Sequence, residues 1–415
     1  MAIKHFQKLI TFLLVVISFS CQQQDQRRDD QPGQAFKWKE NAAIDPAIAR
    51  SLDTLNSNIE NRQYGYLDEI FIAKGDRIIF QKQYDLNYDS ISWGKSGKMG
   101  CGSNMCEDST QINLYNYYHP KYHPYYLKSN QHSVQSITKS VVSAIVVNAI
   151  LNGHIGSIND SIYPYFSHYD LSDSMQQHLK STTLKDLLTM QMGLEWTEEG
   201  LTLESKSDVT QMELSDDWIA YVLSRKIVAA PGEQWVYSSG VSQLLSQIIQ
   251  SATGRDIRDY AEEMLFKKLG IIDFYWKTTP SGLSDTEGGL YLKAGDLAKI
   301  GLLYQQKGRW DGEQLISEKF ISESLDRQVK DIYQDGGKEG YGYQWWISVH
   351  EPPLSVALGY GNQIMVIMPE KEIVAIVYSW NVFDNGGSYV LGDLFKLLGK
   401  IAKTPNSSVS NEDGQ

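Results

Sequence analysis

The chain has 415 residues, 42% of them hydrophobic and 21% charged, with Lys+Arg 38 against Asp+Glu 50 and a net charge of −12. That apolar content excludes a disordered chain, and three cysteines are too few for a disulfide scaffold, a Cys-rich zinc array or an iron–sulfur pattern. An acidic globule does not supply the charge that neutralises phosphates, so no nucleic-acid partner is expected. At roughly 100–200 residues per domain, the length allows two or three domains or one large domain with insertions.

The chain opens with MAIKHFQK, carrying Lys4 and Lys8 and no acid, followed by the apolar run LITFLLVVISFS and then Cys21. A basic start and a run shorter than the ~20 residues of a spanning helix predict a secretory signal over residues 1–20. The sequence up to Cys21 resembles a bacterial lipoprotein lipobox, with Ser18 where Leu is usual. The expectation is therefore lipidation at Cys21 and an anchor in the cell envelope, periplasmic or at the outer membrane. Residues 21–45, which run on from Cys21 as QQQDQRRDDQPGQ, cannot bury a core and read as a flexible tether. Loss of the signal would move the net charge from −12 to −14. Export also bears on Cys101 and Cys106 in the Gly-rich stretch GKMGCGSNMCEDS, where a local disulfide and two free thiols both remain open.

No internal repeat is visible in the remainder. PAIARSLDTLNSNIEN (46–61) has the spacing of an amphipathic helix, and EIFIAKGDRIIFQKQY (69–84) reads as a hairpin turning at Gly75-Asp76. SITKSVVSAIVVNAILNG (136–153) is apolar nearly all round and predicts a buried helix ending at Gly153. TLKDLLTMQMG, SGVSQLLSQIIQSATG, DIRDYAEEMLFKKLG and AGDLAKIGLLYQQKG each show helical spacing and a terminal Gly. Strands return with LSVALGYG and QIMVIMPEKEIVAIVYSW, followed by a last helix in VLGDLFKLLGKIA and a polar tail over 404–415. Strands at both ends with helices between them predict an α+β architecture: an antiparallel sheet built by the two termini, with a largely helical insertion, as one unit over 46–403.

Chemistry concentrates in Ser136-Ile137-Thr138-Lys139. Three residues apart on a helix, the Lys139 amine can reach the Ser136 hydroxyl. The helix start offers the Ser136 amide and a positive dipole end to an oxyanion. Apolar neighbours Val141, Val142, Ile145 and Val146 would desolvate Lys139 and favour its neutral amine, a base. Two other segments have the makings of a cleft. PGEQWVYSSG places Tyr237 on a loop entering a helix, where its phenol can relay protons, and ALGYGNQ joins two strands through glycines that permit close backbone approach.

In this order, SITK, Tyr237-Ser238-Ser239 and Gly359-Tyr360-Gly361 resemble the three motifs of the serine beta-lactamase and penicillin-binding-protein superfamily, over roughly residues 60–400. The similarity is greatest to its class C-related branch of esterases and 6-aminohexanoate-dimer hydrolases. The resemblance implies a beta-lactamase/transpeptidase-like fold, with Ser136 as acylated nucleophile, Lys139 as general base and Tyr237 as proton relay. It further implies an oxyanion hole of the Ser136 and Asn362 amides and hydrolysis of small amides or esters without cofactor or metal. Ser239, Gly359, Tyr360, Gly361 and Trp196 are the expected substrate contacts. Where beta-lactamases and transpeptidases carry Lys-Thr-Gly, this chain has Gly359-Tyr360-Gly361, and Ser239 stands where Asn is frequent. Both departures favour the amidase and esterase branch over a beta-lactamase or D-alanyl-D-alanine carboxypeptidase. A catalytically silent binder of cell-wall fragments would not need Ser136, Lys139 and Tyr237 together.

His119 and His123 are four apart, but Pro120 and Pro124 preclude a helix that would align them on a metal. No H-E-x-x-H, G-x-S-x-G, P-loop or G-x-G-x-x-G pattern occurs. Trp345 and Trp346 read as core or cleft rim. Substrate identity and oligomeric state are not legible.

Overall fold

In the computed structural model, the described residues are 36–40, 44–87, 128–198, 206–333, 336–337, 339–348, 353–381 and 390–404. Cys21, Cys101, Cys106, His119 and His123 lie outside them. The described chain from Lys37 onward forms one compact unit.

Its centre is an eight-stranded sheet made of β1 (Lys39–Glu40), β2 (Leu67–Lys74), β3 (Arg77–Gln83), β4 (Gly340–Tyr341), β5 (Trp346–Ser348), β6 (Leu354–Gly359), β7 (Gln363–Met368) and β8 (Ile373–Ser379). The order is β1-β3-β2-β8-β7-β6-β5-β4, antiparallel except for the β1–β3 pair. N- and C-terminal strands meet where β2 pairs β8, with Ile72 opposite Ala375. The fold is thus α+β, with a sheet built by both termini, as the strand and helix pattern predicts. The β2–β3 hairpin turns at Gly75-Asp76, with Gly75 at φ 57, a left-handed value that suits glycine.

Helices cover both sheet faces, which explains strands that read as continuous apolar runs. On one face, Ile48, Leu52, Leu55 and Ile59 of α1 (Pro46–Glu60) join Leu394 and Leu398 of the terminal helix Leu391–Ile401. They pack against Ile70, Ile72, Val366 and Ala375. On the other face, residues 294–305 lie on β2, β7 and β8, and Gly301 lets that helix settle close to the Val374 side chain. The predicted buried helix is α2 (Ile137–Leu151), with no exposed face until its last turn and Gly153 at φ 75 just beyond it.

Three expectations need correction. Residues 21–45 are not wholly a tether: β1 pairs with β3, and the Trp38 indole donates to Gly295 O at 3.0 Å and meets Phe71 edge-on. TLKDLLTMQMG is helical only over Leu184–Leu188, because Met190 turns to φ 60 and Gly193 packs against the Ala229 carbonyl. DIRDYAEEMLFKKLG is a short helix, Ile257–Ala261, that widens into a π turn over Glu262–Phe266. No helix among the described residues is long and apolar enough to cross a membrane.

Candidate active site

The chain enters α2 through Val134 and Gln135, and Gln135 takes φ 51, a strained value for a side-chain-bearing residue. Its amide side chain donates to Ser133 Oγ at 2.6 Å, and its carbonyl accepts from the Thr138 amide at 2.8 Å. This kink presents Ser136 as the N-cap of α2, with a hydroxyl that makes no capping bond. Its amide stays outside the intrahelical ladder. One turn on, buried Lys139 donates from Nζ to Ser136 Oγ at 2.8 Å and to the Glu287 carbonyl at 2.6 Å, and Glu287 Oε2 lies 3.6 Å away.

Tyr237 arrives from the loop before α4 (Ser239–Thr253); among the helices that precede it, α3 is Asp208–Glu213. Ser238 caps α4 by accepting from the Val241 amide at 3.1 Å, which fixes the chain direction one residue after the phenol. The Tyr237 hydroxyl faces the Ser136–Lys139 pair, and its ring stacks on Trp346 at 5.6 Å. Lys139 Nζ stands 5.3 Å from the ring centroid.

The charge state of Lys139 differs from the sequence expectation. Burial does press the ammonium toward its neutral form, but Tyr237, Glu287 and Glu198 outweigh it and hold the pKa above the ordinary lysine value. Burial pushes the Tyr237 phenol up as well, against the pull of Lys139. At rest Lys139 is an ammonium donating to Ser136.

These groups share a cleft of about 210 Å³ lined by Gln135, Ser136, Glu198, Val209, Tyr237, Ser239, Glu287, Trp346, Leu358, Gly359 and Tyr360. Gly359 closes β6 against the nucleophile's approach: a Cβ there would meet Val134 O at 2.6 Å and Gln135 Cβ at 2.9 Å. The β6–β7 turn is pinned by Gln363, whose amide nitrogen donates to Ser379 O at 2.5 Å and whose oxygen accepts from the Ser379 amide at 3.0 Å. Gly361 and Asn362, at φ 79 and 66, form the far side of that turn and do not line the cleft. Trp196 does not line it either: its indole donates to Glu198 Oε1 at 2.8 Å, and the Ser239 amide donates to the same oxygen at 2.6 Å.

A family model described as Beta-lactamase matches residues 129–391, which contain every one of these groups. The chain belongs to the beta-lactamase family. Among solved structures, the fold is similar to a protein assigned as a 6-aminohexanoate-dimer hydrolase from Bacillus anthracis, at 18% identity and TM-score 0.63, covering 83% of this chain and 81% of that one. It is similar to EstCE1, a hydrolase with promiscuous acyltransferase activity, at 12% identity and TM-score 0.60, covering 86% and 98%. The D-alanine carboxypeptidase AmpC from Burkholderia cenocepacia gives 14% identity and TM-score 0.54, covering 85% and 98%. No curated protein sequence matches the chain.

Within this beta-lactamase-family cleft, several residues escape motif reading. Glu198 follows the turn at Gly193 in LEWTEEG, and Glu287 precedes Gly288-Gly289 in SDTEGGL. An acid directly before two glycines was the one available signal, since glycines mark close approach. Trp346 is distinguishable from buried Trp345 only once β5 is known to face Tyr237.

Proposed function

We propose that the protein is a serine hydrolase that cleaves small amides or esters through an acyl-enzyme on Ser136. The observation that carries this reading is the 2.8 Å hydrogen bond from Lys139 Nζ to Ser136 Oγ, in a cleft that Tyr237 lines with its ring centroid 5.3 Å from Lys139 Nζ. Lys139, once relieved of its proton, is the general base, and Tyr237 passes a proton to the leaving group and from the deacylating water. The oxyanion is assigned to the Ser136 amide and to an amide of the turn from Tyr360 to Asn362, with Asn362 the expected donor.

The charged lining is Glu198 and Glu287, and glycine occupies position 359. Such a cleft favours a neutral or cationic acyl group over the carboxylate-bearing substrates of beta-lactamases and D-alanyl-D-alanine carboxypeptidases. Aromatic walls from Tyr237, Trp346 and Tyr360 suit an apolar or ammonium-bearing chain.

The test is fluorophosphonate labelling with peptide mapping, and turnover of p-nitrophenyl esters, nitrocefin and a D-Ala-D-Ala peptide side by side. Label on Ser136, lost in Ser136→Ala, with esters preferred, is expected. Label elsewhere, or undiminished hydrolysis in Ser136→Ala, overturns the reading. Binding of muropeptides without acylation by any probe would identify a silent binding protein instead. The N-terminal sequence supports envelope anchoring through Cys21, checked by lipid-analogue incorporation into the wild type and its loss in Cys21→Ala.

A further inference from the structure

Behind the cleft, three buried carboxylates converge: Glu213 at the end of α3, and Asp285 and Glu287 from the loop before the strand Leu290–Leu292. One oxygen of each lies within 4.8 Å of the others. The loop is built to stay there. Asp285 Oδ1 accepts from the amides of Glu287 and Gly288 at 3.0 and 2.9 Å, and the Thr286 amide donates to Gln243 Oε1 of α4 at 2.8 Å. Yet Glu213, only 5% exposed, has an Oε2 with no hydrogen-bond partner among the described residues. A buried acceptor without a partner is costly, so the atom is best understood as one that binds or releases something.

The charges facing the group indicate what. Lys139 approaches Glu287 from α2, and Lys277, after the strand Tyr275–Trp276, interacts with Glu213 and Asp285 from the other side. Glu198 and the Tyr237 phenol face Lys139 from the cleft, and Tyr291 faces Lys277. With Glu198 included, four carboxylates face two ammonium groups, so negative charge is in excess in a dry site, and protons neutralise it. A divalent cation would instead be pressed against two ammonium groups.

We infer that Glu213, Asp285 and Glu287 form a buried proton-holding site behind Lys139, and that Glu287 takes the lysine's proton when Ser136 attacks. This rests on the reading of Ser136 and Lys139 as the acylating pair. In the step, an N–H bond of Lys139 breaks and an O–H bond forms on Glu287. The freed amine accepts the Ser136 hydroxyl proton as the Ser136 oxygen bonds to the substrate carbonyl. When the adduct collapses, Lys139 passes a proton through Tyr237 to the leaving group and recovers its own from Glu287. The carboxylate group thereby supplies the acceptor that neither the resting ammonium nor the resting phenol provides. Glu213 and Asp285 act as positioning residues that keep a proton available to the pair, and the raised Glu213 pKa, from burial and then the Glu287 charge, agrees with this.

The experiment pairs infrared difference spectroscopy with kinetics on the full chain. Wild type at neutral pH is expected to show a protonated-carboxyl carbonyl band that disappears in Glu213→Gln, with Asp285→Asn as the second variant should the first be poorly folded. Glu287→Gln keeps the backbone carbonyl that holds Lys139, so ester turnover should fall on the order of 10²-fold in kcat at every pH, with KM unchanged. Glu287→Asp should restore part of it. Absence of the band from the wild type overturns the proposal. So does a Glu287→Gln profile that merely moves to lower pH at full maximal rate, or a saturable rise in Tm with Ca²⁺, Mg²⁺ or Zn²⁺ that Glu213→Gln abolishes. A wild type inert to every probe would count against the hydrolase reading alone, and the infrared band would still decide the proton site.

Discussion

Gly359 lies so close to Val134 that a Cβ at position 359 would stand 2.6 Å from the Val134 carbonyl. The position at which related enzymes carry a cation is here a backbone contact holding the entry to Ser136. Gly359→Ala is therefore expected to displace Gln135 and Ser136, lowering kcat for ester hydrolysis at least about tenfold and stability by about 1–3 kcal/mol. Gly359→Lys should be worse on both counts and should not confer nitrocefin turnover. Steady-state kinetics and urea unfolding of the two variants check this.

Lys139 and Glu287 are each other's buried counter-charge at 3.6 Å. Lys139→Met strands the carboxylate and should cost about 3–5 kcal/mol, because an unpaired buried charge is left behind. Adding Glu287→Gln should recover most of that stability without recovering turnover. Chemical denaturation of the single and double variants separates the structural role of the pair from its catalytic one. If the double variant is as unstable as Lys139→Met, the two groups do not interact as the distance implies.

Tyr237→Phe keeps the ring on Trp346 and removes only the hydroxyl that faces Ser136 and Lys139. Tm should stay within a few degrees of wild type. Turnover should drop on the order of 10²-fold, with acyl-enzyme accumulating if water activation is the slower step. Intact-protein mass spectrometry during turnover reads that accumulation directly.

Glu198 offers the cleft a carboxylate whose Oε1 is already engaged by Trp196 and Ser239. Neutral and ammonium-bearing p-nitrophenyl esters should be turned over faster than an ester bearing a carboxylate at the same position. Glu198→Gln should narrow that preference about tenfold through KM rather than kcat. Equal preference in wild type would show that the lining charge does not select substrate.

Asp285 is raised from 3.8 to about 6, by burial first and the Glu287 charge second. Between those values the folded state binds more protons than the unfolded, so its stability falls as pH rises from about 4 to 6. A shift of that size corresponds to on the order of 2–3 kcal/mol, shared with its neighbours. His132, buried and lowered to about 3, works in the opposite sense: its contribution is present above the unfolded histidine pKa and lost as pH falls below it. The difference between wild type and Asp285→Asn isolates the first effect. Over pH 4 to 6 the variant should gain stability relative to wild type, as followed by Tm.

Much of the sheet was legible because its strands are apolar on both faces and bounded by turn residues, as with Gly75-Asp76 and the Pro369-Glu370-Lys371 turn. The helix from Ile137 was legible because fifteen residues without a polar face have nowhere to lie but inside. Local signal failed where a tertiary contact overrode it. TLKDLLTMQMG has helical spacing, yet Gly193 is drawn against Ala229 and the helix stops at Leu188. Trp38 sits in a polar stretch that reads as linker, and only its contacts with Gly295 and Phe71 order it.

By itself the sequence determined the pairing of Ser136 with Lys139, because a three-residue spacing on a helix places two side chains together whatever surrounds them. It also determined the arrival of Tyr237 just before a capped helix. Only the tertiary structure decided the charge of that lysine. Desolvation, which the sequence could anticipate from apolar neighbours, is outweighed by Glu198 and Glu287, which arrive from 59 and 148 residues away. Electrostatic influence depends on distance through space and on the burial of both partners, and neither is written in the spacing of a motif.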